Sequence, residues 1–277
     1  MDGVLLVAKP AGVTSHDVVE SVRRARGGAK TGHAGTLDPF ATGLLVVLVG
    51  RGTRVQQYMV GLPKAYRVVA RFGAVSDTGD PTGQVRETGI SAAEDSVRRA
   101  AAGLTGEIQQ RVPAYSAVKV GGERLYRKAR RGEEVEAPVR RVVIDMLDLV
   151  RFDADVQEAE LVVRCSSGTY IRQLVADLGE LCGAGAYCVA LERTEVGPFA
   201  LADADPERLL PLSEALPFLS QYPLTEVEAE SIRHGRAIEN PGGVGDEGSA
   251  VRLTLDGLLI AVAERRGDEL KPATVLT

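Results

Sequence analysis

The chain has 277 residues, 44% hydrophobic and 26% charged, with a formal net charge of −5. That balance suits one large globular domain, or a medium and a small one, whose core requires neither disulfides nor metal. No run of 18 apolar residues occurs, which excludes a membrane-spanning helix, and the start MDGVLLVAKP is too short and too poor in basic residues for a signal peptide. Cys165, Cys182 and Cys188 are odd in number and lack metal-ligand spacing, so they read as reduced thiols of a cytoplasmic protein.

Residues 3–9 read as a short strand. Thr14 and Ser15 are cap residues for a helix running to about Arg26, with Val18, Val19, Val22 and Ala25 on one face. The loop GHAGTLDPFATG, residues 32–43, then leads into the apolar run LLVVLV, residues 44–49, which reads as a buried strand. Another strand is predicted over residues 65–72, and GAVSDTGDPTGQ after it is a loop. Ser91 followed by Glu94 has the pattern of a capping box, opening a helix to about Ala102. Residues 120–140 are basic, glycine-dotted and aperiodic, as expected of a long surface segment.

Strands resume at residues 142–150 and 160–165, the latter alternating Leu161, Val163 and Cys165 with Glu160, Val162 and Arg164. In CSSGTYIRQLVADLGELCG, Thr169 is the expected N-cap, and Ile171, Leu174, Val175, Leu178, Leu181 and Cys182 form a helical apolar stripe. Tyr170 and Arg172 lie off that stripe in the first turn, where an arginine opposes the helix dipole at about 0.3–1 kcal/mol. A local rule broken in this way predicts a carboxylate partner from another segment. Residues 198–222 are rich in proline and acid and read as a linker. Beyond them come a short helix over residues 225–235, a hairpin turning at Asp256-Gly257, and a last strand over residues 273–276.

The charge is unevenly spread. Residues 1–141 carry 22 Lys+Arg against 14 Asp+Glu, whereas residues 142–277 carry 11 against 24. With the clusters RRARGGAK (residues 23–30) and ERLYRKARRGE (residues 123–133), this points to a polyanionic partner for the first half. Arg23, Arg24, Lys119, Arg124, Arg127, Lys128, Arg130 and Arg131 are the candidate phosphate contacts. Tryptophan is absent, so base stacking would rest on particular tyrosines. His16 and His234 are scattered and form no metal-ligand pattern.

Asp38 sits in a loop built for tight backbone turns, directly before a buried strand. As a turn residue it would be ordinary, since Asp-Pro pairs start turns. As a catalytic carboxylate it would be held by a rigid loop, with Pro39 restricting its backbone. Tyr66 is either a core residue of its strand or a stacking platform.

The loop residues 32–43 closely resemble the motif Gly-His-x-Gly-x-Leu-Asp-Pro-x-Ala-Thr-Gly of the TruB family of pseudouridine synthases. Lys9-Pro10, KAYRVVARFG (residues 64–73), DTGD (residues 77–80), PAYSAVK (residues 113–119) and CSSGTYIR (residues 165–172) resemble further family segments in the same order. The resemblance covers almost the whole chain. It implies an α/β (α+β) pseudouridine synthase fold with a mixed, largely antiparallel sheet and flanking helices over residues 1–220. A small PUA-like β-barrel module for RNA binding would follow over residues 221–277, and residues 120–140 would be an RNA-gripping insertion.

The implied activity is isomerisation of uridine to pseudouridine at position 55 in the tRNA T arm, by base flipping and without cofactor or metal. The resemblance makes Asp38 the essential carboxylate, Arg172 its partner, and Tyr66 the platform for the flipped base with a possible part in removing the C5 proton. His33 would enter the space left by the flipped nucleotide, Tyr170 and Leu191 would line the pocket, and Lys9 would support the loop or bind phosphate. Lys119, Arg130 and Arg131 would grip the RNA. The chain begins its first strand at once, which fits the family's free-standing bacterial form, expected to be monomeric and to need no protein partner. Two other readings use the same surface: a tRNA-folding chaperone, and a guide-RNA-dependent synthase.

Overall fold

The computed structural model describes residues 2–276 apart from 114, 117, 126–130, 132 and 134–136. It opens with strand β1 (Gly3–Lys9) and helix α1 (Ser15–Ala25). Thr14 caps α1: its side chain accepts from Asp17 N–H, and the Asp17 carboxylate accepts from Thr14 N–H, a reciprocal capping box. Strands β2 (Thr31–His33) and β3 (Thr42–Val49) flank the glycine-rich loop. A 3₁₀ turn (Gly50–Val55) and helix α2 (Gln56–Val60) lead to β4 (Lys64–Phe72), the hairpin β5 (Ala74–Ser76) and β6 (Val85–Glu87), and helix α3 (Glu94–Gly103). Then follow β7 (Gly106–Arg111), the short pair β8 (Lys119–Val120) and β9 (Glu123–Arg124), and the long strands β10 (Val139–Asp153) and β11 (Glu158–Cys165). Helix α4 (Ile171–Leu181), β12 (Ala186–Val196), β13 (Phe199–Ala200) and β14 (Asp205–Leu210) complete this part. The last stretch holds β15 (Ser220–Pro223), α5 (Glu226–Arg233), β16 (Ile238–Glu239), β17 (Ala250–Leu255), β18 (Leu258–Arg266) and β19 (Glu269–Val275).

One ten-stranded sheet runs β14-β1-β3-β12-β4-β11-β10-β7, with β2 and β13 paired at its side. Among the described residues only β12 and β3 run parallel in it, so the sheet is mixed and largely antiparallel. That parallel contact lies in the middle of the sheet and brings the end of the Asp38 loop against β12, at Thr42 opposite Glu192 and Gly43 opposite Arg193. Residues 44–49 are completely buried because β3 is central and covered on both faces. Helices α3 and α4 cover one face through Val97, Ala101, Ile171, Leu174 and Leu178. A second sheet, β15-β17-β18-β19-β16, curls around its own core of Leu224, Ile232, Val251, Leu253 and Leu270. It docks against the first through Val262 and Leu276, and through Arg51 and Arg54, which donate to the carbonyls of Leu276 and Val275. Among the described residues no helix is long and apolar enough to cross a membrane.

Several local expectations are corrected. Ser91 does not cap α3: the N-cap is Ala93 without a side-chain bond, because Gln157 ties down Ala92 N–H and C=O from across the fold. Thr169 does not cap α4 either. The N-cap is Tyr170, whose N–H and C=O are both bonded by the Gln110 side chain, while Thr169 Oγ1 donates to Ser166 O. Leu181 leaves the apolar stripe and is exposed at the helix end. Residues 198–222 are not a free linker, since β14 extends the large sheet beside β1 and Ala215 and Leu216 are fully buried. The last strand begins at Glu269, earlier than its apolar residues alone suggest.

Candidate active site

The loop between β2 and β3 is pinned from several sides. Ser15 Oγ accepts from Leu37 N–H at 2.9 Å and donates to Leu37 O at 3.1 Å. The Lys9 ammonium donates to Pro10 O, Val13 O and Pro39 O at 2.9, 2.8 and 3.4 Å. Ala41 N–H bonds back to Asp38 O, closing a turn around Pro39. Gly43 is required: its φ is +106°, and a Cβ there would lie 2.3 Å from Arg193 O. Nothing larger lets β3 approach β12 so closely.

Asp38 rises from this loop with its side chain 35% exposed, facing Arg172, which is 5% exposed. Arg172 Nε donates to Asp38 Oδ2 at 2.8 Å and Nη2 to Asp38 Oδ1 at 3.3 Å, a two-pronged fork. Its remaining donors reach Thr78 O at 2.5 Å and Tyr115 O at 3.0 Å, and Asp80 Oδ2 lies 3.4 Å from Nη1. Asp80 is itself fixed by Thr78 Oγ1, Thr82 Oγ1 and Thr82 N–H. One guanidinium thus joins four segments, with two carboxylates as its counter-charge. The arginine that opposes the α4 dipole has the partner from elsewhere that the sequence calls for.

Tyr66 on β4 is buried in the same cluster as Leu37, Ala41 and Leu191. Burial pushes its hydroxyl up to about 12, and the neighbouring Arg193 charge pulls the other way. Leu191 is buried on β12, two residues before Arg193, so both side chains leave the strand on the Tyr66 face. Burial and the Arg193 charge hold His33 below the ordinary histidine pKa, with a backbone contact at Gly35 opposing them. Tyr170 stands at the start of α4, beside Arg172, with its backbone locked by Gln110. Desolvation raises the Cys188 thiol to about 12, which suits a packed hydrophobe beside the site.

The structure therefore brings Asp38, Arg172, Tyr66 and Leu191 together, with His33 and Tyr170 at the ends of adjoining elements. Lys9 differs from the phosphate-binding alternative: it is 1% exposed and its ammonium is occupied by backbone carbonyls. Arg131 is held by Glu123 at 2.7 Å and Glu133 at 2.6 Å. The backbone of Lys119 lies in β8, whereas Arg127, Lys128 and Arg130 fall outside the described residues. Among the described residues no group of His, Cys, Asp and Glu is arranged to hold a metal ion.

Residues 23–171 match the family model for the N-terminal domain of TruB family pseudouridylate synthases. The chain is 42% identical to tRNA pseudouridine synthase B of Corynebacterium aurimucosum, over 97% of this chain and 94% of that one. It is 43% identical to the protein of that name from Leifsonia xyli, with the same coverage. This chain belongs to the TruB family. It is an enzyme of the pseudouridine synthase class. Solved structures agree on the fold: a protein in an H/ACA ribonucleoprotein bound to a substrate RNA containing 2′-deoxyuridine superposes with a TM-score of 0.76 at 21% identity, over 99% of this chain and 85% of that one. A chain of a Cbf5–Nop10–Gar1 complex gives 0.77 at 23% identity, with the same coverage.

Two TruB-site residues carried no role in the sequence reading. Asp80 lies in the quoted DTGD segment, where a carboxylate among threonines and glycines was the available signal. Arg193 announces itself only by parity: it shares the inward phase of Leu191 in a strand where a charge is unexpected.

Proposed function

We propose that this chain converts uridine to pseudouridine at position 55 in the T arm of tRNA, with Asp38 as the essential carboxylate. The observation that carries the reading is the fork from buried Arg172 onto the half-exposed Asp38, inside a family motif. The fork orients the carboxylate at the open end of the pair. The isomerisation breaks the N1–C1′ bond and forms C5–C1′; C5 loses a proton and N1 gains one, so no oxidant or cofactor enters. An ionised carboxylate at the sugar–base junction serves as nucleophile or as base in that sequence. Tyr66 stacks on the base, and Leu191 and Tyr170 line the pocket. His33, uncharged at neutral pH, fills the space of the extruded nucleotide and offsets part of the few kcal/mol that flipping costs.

In this reading residues 1–220 form the catalytic domain and residues 221–277 a PUA-like RNA-binding module, and the protein works as a monomer without a protein partner. The similarity to curated tRNA pseudouridine synthase B proteins supports tRNA as substrate. The test uses purified protein and an unmodified tRNA transcript with nothing else added. Chemical mapping is expected to show conversion at one T-arm uridine, lost in Asp38→Asn. Conversion that persists in the mutant overturns the assignment of Asp38. Conversion only with an added guide RNA overturns the free-standing reading. An Asp38→Asn protein that still rescues misfolded tRNA assigns that rescue to binding alone.

A further inference from the structure

Arg193 is 1% exposed, and among the described residues no carboxylate pairs with it. Burying a guanidinium without a counter-charge is costly unless hydrogen bonds replace its water. Its bonds all go to one place. Nη2 and Nη1 donate to Gly35 O at 3.0 Å and Thr36 O at 3.3 Å, ahead of Asp38, and Nε donates to Leu44 O at 2.8 Å, beyond it. Tyr66 lies beside the same guanidinium, and the two residues face each other across β12 and β4.

We propose that Arg193 is a positioning residue: it clamps the Asp38 loop at both ends and faces Tyr66 across the β12–β4 pair, setting Asp38 and Tyr66 in one frame. The catalytic consequence rests on the roles proposed above for those two residues; the geometric claim does not. The clamp explains why β12 carries an inward charge beside Leu191.

The test compares Arg193→Met, Arg193→Lys, Tyr66→Phe and the Arg193→Met/Tyr66→Phe double variant. The readouts are single-turnover conversion of a tRNA transcript, tRNA binding, and the ¹³Cζ resonance of Tyr66 in ¹³C-tyrosine-labelled protein. Arg193→Met is expected to slow conversion about 10²-fold, the scale of a misplaced reacting group, with the tRNA Kd within about threefold of wild type. Its cost should shrink in the Tyr66→Phe background, its Tyr66 resonance should move, and Arg193→Lys should partly restore both. A rate close to wild type, or additive costs with an unmoved resonance, overturns the proposal. Where the wild type itself converts no tRNA, the activity reading fails and the resonance still decides the clamp. If Arg193→Met does not fold, Arg193→Lys decides: an unmoved Tyr66 resonance with a wild-type rate overturns it.

Discussion

The Asp38 site and the C-terminal sheet use burial in opposite ways. Around the site, Lys9, Lys64, Asp80, Arg172 and Arg193 are all buried. In the C-terminal sheet only Asn240 and Thr254 are buried polar residues among those described, and the core is Leu224, Ile232, Val251, Leu253 and Leu270. Its ion pairs, such as Arg266 with Glu264, stay on the surface, where they contribute little. Apolar burial is non-directional and builds stability. Buried cations on backbone carbonyls hold chosen atoms at fixed positions, and their desolvation costs stability. The large sheet accepts that cost where it carries Asp38, and the small sheet has no such region.

Asp38→Asn tests this contrast hardest. It is expected to reduce conversion on the order of 10⁴-fold, as for residues that act as a unit, with tRNA binding nearly intact in a filter assay. Arg172→Met comes next, losing activity and also about 3–5 kcal/mol of stability, because buried Asp80 is left without its cation. Urea unfolding measures that loss, and a wild-type midpoint would break the comparison. Leu253→Ala, in the C-terminal core, is expected to cost about 2–5 kcal/mol while leaving single-turnover conversion of bound tRNA unchanged.

The smallest effect concerns Lys64, whose ammonium is bonded to Val60 O and Leu62 O. Burial, aided by the Arg193 charge, lowers its pKa to about 8. The unfolded chain keeps this proton up to about pH 10.4, so between the two values the unfolded state binds more protons and stability rises with pH. Below about pH 8 the cost of charging the buried amine is fully present. Wild type should therefore gain on Lys64→Met as pH is raised from about 8 to about 10, as read by denaturant midpoints. A constant difference would remove Lys64 from the set of strained buried cations.

Much of the fold was legible because the signals were local. β1, α1 with its Thr14 cap, the apolar β3, the short helix α5 and the Asp256-Gly257 turn all follow from residues adjacent in sequence. That turn has φ of +48° and +77°, the geometry that Asp-Gly favours. The misread starts of α3 and α4 share one feature: the side chains of Gln157, in the β10–β11 turn, and Gln110, in β7, bond the backbone just ahead of each helix, at Ala92 and Tyr170, while Ser91 and Thr169 make no cap. The linker reading of residues 198–222 failed because an edge strand needs only one good neighbour, and β1 supplied it. Of the site, Asp38 and the misplaced charge of Arg172 were visible in the chain, whereas Asp80 and Arg193 were not.

By itself the sequence determined the periodic elements, the carboxylate-bearing loop and the family to which the chain belongs, since each is written in neighbouring residues. Only the tertiary structure decided what each buried charge holds. Arg172 meets Asp38 134 residues away, and Arg193 meets Gly35 158 residues away. Partners so far apart are chosen by sheet order, and sheet order depends on how the whole chain buries its apolar faces.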